Sequence, residues 1–300
     1  MTGIPAGKPQ SGAAGNSLCG RENIIKLLPR RPLDMHKGGR GRLLVAGGSG
    51  HYPGAPALSA LGALRSGAGV VTLLSLPPVC AACAARLPEV VYRSAENVEN
   101  WLELALAEAS SCGAAVIGPG LERSEEAQAF VAGMWERWPK PLLVDGDGLF
   151  ALVQRGDALP SRTDAVLTPH EGEAARLLGT TPEAVRANRK DAVRKLADRW
   201  GTVLLKGHGT LAACSGDPII HRLDWGGPEL AVPGSGDVLS GCIGSLLASG
   251  LTSLDAARLG GALHGMAGEH LARDGVDGVL ASEIAGALRM VLHELRRAAV

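Results

Sequence analysis

Three hundred residues, 46% hydrophobic but only 3% aromatic, can bury a large core built from Ala, Leu and Val, yet offer few rings on which nucleic-acid bases could stack. Thirty Lys and Arg against 30 Asp and Glu give a formal net charge of zero, which removes the broad positive field of a polyanion binder, and no run of about 18 apolar residues escapes a charge, a Gly or a Pro. The six cysteines are too sparse for a disulfide scaffold and the first residues carry no apolar leader, so a cytoplasmic protein is expected, with neither nucleic acid nor membrane as a partner.

Residues 1 to about 19 are rich in Gly, Ser, Ala and Pro and are expected to be poorly ordered. Up to Arg42, Lys8, Arg21, Lys26, Arg30, Arg31, Lys37, Arg40 and Arg42 face only Glu22 and Asp34, so this arm carries +6 and the rest of the chain −6. From Leu43 onward short apolar runs at 43–48, 70–74, 114–118, 141–146, 165–169 and 202–207 read as strands buried on both faces. Helical patterns at 54–66, 99–111, 124–138, 171–178 and 184–199 fall between them. A short strand at 211–214, a turn-rich segment at 215–233 and helices near 236–249, 254–273 and 281–297 follow. That rhythm predicts an α/β fold, an open and mostly parallel sheet with helices on both faces. A barrel would need eight regular units, and the helix-rich end does not supply them. With no composition break after Leu43, the expectation is an arm over 1–22 and one catalytic domain over 23–300.

In such sheets ligands collect beyond the carboxyl ends of the strands. The first strand runs into GGSGHYPG (47–54), a turn that either binds an anion or merely reverses the chain, and that lacks the spacing of a P-loop or a dinucleotide fingerprint. IGPGL (117–121) follows a second strand, and VDGDGL (144–149) places Asp145 at a strand end facing the crevice, with Asp147 suited to capping a turn or helix. TPHEGE (168–173) opens a helix, where His170 and Glu173 either cap it or contact a ligand, Glu173 through a metal-bound water. LLKGHGTLAA (204–213) reads as a hairpin that brings Lys206 and glycines toward a phosphate, although Lys206 also suits a surface turn. In GSGD (234–237) three small residues open a helix and a carboxylate stands in its first turn, so amide hydrogens can steady a moving phosphoryl group while Asp237 accepts a proton. Many of the 42 glycines thus stand where a backbone can approach phosphate. Cys80 and Cys83, as a lone C-x-x-C, read as packing, as do Trp101, Trp135, Trp138 and Trp200. His264 is expected to pack against the GSGD helix, and Trp225 to line a pocket.

In order and kind, HKGGRGRLLVAGGSGHYPGAPALSALGALRSGAGVVTLL (36–74), IGPGL, TPHEGE, LLKGHGT, GSGDVLSGCIGSLLASGL (234–251) and GALHGMAGE (261–269) resemble the NAD(P)H-hydrate dehydratase family of the ribokinase-like superfamily, over roughly nine-tenths of the chain. The GSGD turn alone indicates only the superfamily. The resemblance implies a three-layer αβα sandwich with a mostly parallel central sheet. It also implies ADP-dependent, or alternatively ATP-dependent, dehydration of the hydrated cofactors NADHX and NADPHX, with Mg²⁺ accompanying the nucleotide. On the matched motifs, Asp237 is the base, Gly234, Ser235 and Gly236 hold the phosphoryl group, and Lys206, Gly207, His208, Gly209, Thr210 and Gly236 hold the nucleotide. Ala55, Gly120, Asp145, His170 and Asp237 contact the hydrated cofactor.

A homo-oligomer, dimer or tetramer, and a functional link to a separate NAD(P)H-hydrate epimerase are further implications, since the roughly 35 residues before the match are too few for an epimerase domain. Two departures stand out: DGDGLF (145–150) where the family has Asp-Ala-Asp-Ala-Leu-Asn, and GGPELA (226–231) where it has Gly-Asn-Pro-Gly-Met-Ala. The alternatives are a small-molecule kinase of the same superfamily and a non-enzymatic nucleotide-binding module.

Overall fold

The computed structural model describes residues 19–30 and 37–299, so residues 1–18 of the arm expected over 1–22 lie outside the described residues, as do Arg31 and Asp34 of the basic stretch. Arg21 and Glu22, assigned to the arm from sequence, instead open a short helix, α1 (Arg21–Lys26). The apolar runs become β1 (Arg42–Ala46), β2 (Val70–Ser75), β4 (Ala114–Ile117), β5 (Leu142–Val144), β6 (Ala165–Leu167), β7 (Thr202–Leu205) and β8 (Thr210–Cys214), joined by β3 (Val91–Ser94) and β9 (His221–Leu223). One sheet results, in the order β3-β2-β1-β4-β5-β6-β7-β8-β9. It is parallel from β3 through β7 and turns antiparallel at the β7–β8 hairpin and at β9.

The helices that connect and cover it are α2 (Gly54–Ser66), α3 (Pro77–Ala84), α4 (Trp101–Glu108), α5 (Glu125–Arg137), α6 (Asp147–Arg155), α7 (Glu171–Leu178), α8 (Pro182–Ala187), α9 (Arg189–Trp200), α10 (Ser235–Ala248), α11 (Ser253–Leu271) and α12 (Ala281–Ala298). Several of these elements differ from the sequence expectation, α1 and α6 among them, over stretches where no helix was expected. β3 is an edge strand whose residues are largely exposed, so it has no apolar run to betray it. β9 has three residues inside the stretch read as turns. α3, absent from the expected helices, starts on two prolines, which are well placed in a first helical turn. The stretch 184–199 is two helices, because Asn188 leaves helical backbone and its side chain accepts the Asp191 amide to cap α9.

Alternate residues of each strand serve opposite layers: Leu43 and Val45 face α2, α3, α10, α11 and α12, while Leu44 and Ala46 face α4, α5, α6, α7 and α9. The buried core of the first layer is non-aromatic. A Cβ on Gly241 would lie 1.8 Å from the Ser59 carbonyl oxygen, so α2 and α10 meet backbone against backbone. The second layer holds Trp101, Phe130, Trp135, Trp138 and Trp200, all buried, with Trp101 set edge-on to Phe130 and Trp135 edge-on to Trp200. Cys80 and Cys83 are buried on α3 and their thiols donate to the carbonyls of Arg93 and Pro53, so the C-x-x-C is packing. Among the described residues no helix is long and apolar enough to cross a membrane.

Candidate active site

Because β1, β4, β5, β6 and β7 run parallel, their carboxyl ends open onto one edge of the sheet, where the loops 47–53, 118–124, 145–146, 168–170 and 206–209 converge. Asp145, directly after β5, is 3% exposed. Its Oδ1 accepts from Thr168 Oγ1 at 2.8 Å and from Lys206 Nζ at 3.1 Å. Glu173 Oε2 lies 3.9 Å from the same ammonium. Burial opposes the charge on Lys206, but Asp145, Glu173 and then Asp237 outweigh it and hold the lysine above its ordinary range. Lys206 is therefore part of an enclosed ionic cluster and not a surface turn lysine.

Helix α10 brings its first turn against this cluster. A Cβ on Gly236 would stand 3.3 Å from Lys206 Nζ and 3.8 Å from Asp145 Oδ2, so a glycine here lets the helix start close over both groups. Gly234 supplies the left-handed cap, φ 86°. The Ser235 amide hydrogen is bonded to the Val232 carbonyl and its hydroxyl lies 3.1 Å from His264 Nε2. That corrects the expectation for Ser235, which is committed to the fold and leaves the amides of Gly234, Gly236 and Asp237 as the open donors of this turn. Burial, reinforced by Asp145 and opposed by Lys206, pushes the Asp237 carboxyl up to about 7. Burial likewise drives His264 down to about 4; the ring is neutral, and Nε2 carries the hydrogen it donates to the Ser235 carbonyl at 3.0 Å. His264 thus packs against α10, as expected.

His170 caps α7: its Nδ1 accepts from the amides of Gly172 at 2.9 Å and Glu173 at 3.3 Å, and Glu173 Oε2 accepts the His170 amide at 2.8 Å. Capping and ligand contact, alternatives in the sequence, are compatible here. The occupied Nδ1 leaves Nε2–H as a donor on a side chain that is 55% exposed, and burial with Lys206 and Arg176 nearby keeps the ring neutral. Burial also raises Glu173. Ala55 and Gly120 meet, since a Cβ on Gly120 (φ 63°) would lie 2.9 Å from Ala55 Cβ.

Asp147 stands apart from the cluster, accepting the Glu122 amide and Arg123 Nε, each at 3.0 Å. Not every strand-end glycine answers to a ligand. A Cβ on Gly47 would lie 2.3 Å from the Pro119 carbonyl and one on Gly118 1.9 Å from that of Asp145, so these glycines fit loop against loop. Trp225, partly buried, sets its backbone and Cβ over Gly265 of α11.

Both departures from the family pattern are self-contained. Phe150 lies beneath the Arg123 guanidinium at 4.7 Å, and Glu229 is buried with the Gly227 amide donating to it at 2.7 Å. Sequence reasoning missed Thr168, whose only signal was a hydroxyl at a strand end. It also missed Glu122, at φ 66° the one non-glycine with positive φ among the described residues, whose carboxylate pairs with His51 at 2.6 Å. Among the described residues no group of three or more His, Cys, Asp or Glu side chains gathers to hold a metal. The site suits a Mg²⁺ that arrives on a polyphosphate and keeps most of its waters.

The sequence profile of the NAD(P)H-hydrate dehydratase family matches residues 43–289. The chain is 38% identical over 286 residues to a bifunctional NAD(P)H-hydrate repair enzyme of Thermofilum pendens, covering 91% of this chain and 53% of that protein. It is 39% identical over 275 residues to an ADP-dependent (S)-NAD(P)H-hydrate dehydratase of Neisseria meningitidis serogroup B, covering 89% of this chain and 90% of that protein. The chain spans about half the length of the bifunctional relatives it matches. Its fold superposes with a TM-score of 0.81 on the crystal structure of an ADP/ATP-dependent NAD(P)H-hydrate dehydratase from Bacillus subtilis co-crystallised with ATP and Mg²⁺, at 28% identity and covering 92% of this chain and 97% of that one. The sandwich is that of the ribokinase-like superfamily.

Proposed function

The chain belongs to the NAD(P)H-hydrate dehydratase family, and from that membership we propose that it uses ADP, or ATP, to return (S)-NAD(P)H-hydrate to NAD(P)H. The observation that carries the reading is the carboxyl of Asp237, raised to about 7 beside the open amides of α10 and the Lys206–Asp145 pair. A carboxylate poised near neutrality is suited to general-base work. It takes the proton of the C6 hydroxyl; the oxygen attacks the terminal phosphorus, and the P–O bond to the nucleotide breaks, releasing AMP from ADP or ADP from ATP. Phosphate then leaves C6 and a ring proton is lost, which restores the dihydropyridine. Phosphorylation serves the elimination because hydroxide is a poor leaving group and phosphate a good one.

The amides of Gly234, Gly236 and Asp237 face the transferring group, and Lys206 with the 206–210 turn holds the nucleotide. His170, Gly120, Ala55 and Asp145 hold the hydrated cofactor, His170 by donating from Nε2. Glu173 would hold, through water, a Mg²⁺ that accompanies the nucleotide, and that ion would supply charge screening on the phosphates. We assign the activity to one catalytic domain over 23–300, working in the cytoplasm as a homo-oligomer alongside an epimerase that interconverts the two hydrate epimers. The absence of a disulfide among the described residues suits a reducing compartment.

The test is incubation with hydrated NADH, Mg²⁺ and either ADP or ATP, following dihydronicotinamide absorbance in wild type and Asp237→Asn. Recovery of absorbance by wild type, with turnover lost and nucleotide binding kept in the variant, is expected. An unchanged rate in the variant would sink the proposed base. A phosphorylated product that persists without dehydration would assign the chain to the small-molecule kinases. Nucleotide binding with neither reaction would leave a binding module.

A further inference from the structure

Arg189, the first residue of α9, has a side chain 15% exposed that reaches across to the β7–β8 turn. Its Nη1 donates to Glu171 Oε1 and, at 3.4 Å, to the Lys206 carbonyl. Nη2 donates to the carbonyls of Leu205 at 3.2 Å and Gly209 at 3.5 Å. The Gly207 carbonyl accepts from Thr210 Oγ1 at 3.0 Å. One guanidinium and one hydroxyl therefore take up the carbonyl oxygens of residues 205, 206, 207 and 209. Among the described residues the amide hydrogens of Gly207, His208 and Gly209 meet no protein acceptor. A turn with its oxygens tied back and successive amides open is a concavity suited to an anion. Gly207 permits the approach, because a Cβ there would lie 2.7 Å from Arg189 Nη1.

The far end of the contact matters as much. Glu171 follows His170 directly at the start of α7, and Arg186 Nε also donates to it at 2.9 Å. A planar fork with fixed donor directions can span a carboxylate and several carbonyls at once, which an ammonium cannot.

We propose that Arg189 is a positioning residue for the nucleotide: paired with Glu171, it holds the 206–209 turn in the shape that accepts a phosphate of a nucleoside di- or triphosphate and ties that turn to the His170 end of α7. The proposal rests on the assignment of residues 206–210 to the nucleotide.

The experiment measures ADP binding with Mg²⁺ by calorimetry, alongside the steady-state KM for ADP, kcat and the unliganded Tm, in wild type, Arg189→Met, Arg189→Lys and Glu171→Gln. Arg189→Met is expected to weaken ADP about tenfold, the scale set by losing charge-assisted bonds, while kcat at saturating ADP falls no more than about threefold. Arg189→Lys does not restore affinity, and Glu171→Gln shifts it in the same direction by less. Lower Tm with unchanged ADP affinity in all three variants would reduce Arg189 to a structural role and overturn the proposal, and full rescue by lysine would overturn the fork. If Arg189→Met does not fold, Arg189→Lys and Glu171→Gln decide on the same readouts. Wild type that binds neither ADP nor ATP would remove the nucleotide reading itself. Wild type that binds ADP without dehydrating the hydrated cofactor would remove only the dehydratase reading and leave this test intact.

Discussion

Burial first, then Asp145 against Lys206, decides what Asp237 can do. With its carboxyl at about 7, Asp237 is ionised over only part of the neutral range, so turnover is expected to rise with pH through about 7 and then level. A rate profile flat from pH 5 to 9 would remove the residue from that role. Stability runs the other way. The folded carboxyl titrates above its ordinary 3.8, so the protonated form is favoured by folding, and this contribution is full below about 3.8 and lost as pH rises through about 7. Asp237→Asn, neutral throughout, is expected to raise Tm at pH 8, by the equivalent of about 2–4 kcal/mol, with the gain shrinking toward pH 4 in thermal unfolding. Thr168→Val keeps the volume but removes a donor from buried Asp145, and is expected to cost about 1–3 kcal/mol in denaturant unfolding.

At the scale of elements, the site is where α10 starts, and α10 is placed by its contact with α2. Gly241→Ala inserts a methyl against the Ser59 carbonyl and is expected to lose about 1–3 kcal/mol. It should lower kcat/KM as well, because the helix carries Gly236 and Asp237 with it. Gly286→Ala in α12 meets nothing within 4 Å and is expected to stabilise by about 0.5–1 kcal/mol instead, so paired Tm measurements separate crowding from helix propensity. The strands that position Asp145, Thr168 and Lys206 were legible because a strand buried on both faces is an unbroken apolar run. The edge strands β3 and β9 escaped because an edge needs no such run. The convergence of Asp145, Lys206 and Gly236 was legible only as far as the rule for strand ends reaches; that all three touch is a product of packing. Arg189 was invisible for another reason: its reach depends on a helix break at Asn188 that helical periodicity runs straight through.

At the scale of the molecule, ligands that bind only the folded chain should stabilise it by mass action. ADP with Mg²⁺ at about 100 times its dissociation constant is expected to add about 2.7 kcal/mol, seen as a rise in Tm that grows with nucleotide concentration. No shift at any concentration would speak against the nucleotide reading. The two sides of the sheet are built from different materials, and this has an optical corollary. Trp101, Trp135, Trp138 and Trp200 all lie in the layer of α4, α5, α6, α7 and α9, while only the partly buried Trp225 belongs to the layer of α2 and α10. Intrinsic fluorescence therefore watches chiefly one face of the protein, and circular dichroism, which sums over every helix, watches both. In a denaturant titration the two signals will coincide only if the faces come apart together, so the chain carries its own one-sided reporter of whether a single sheet makes a single cooperative unit.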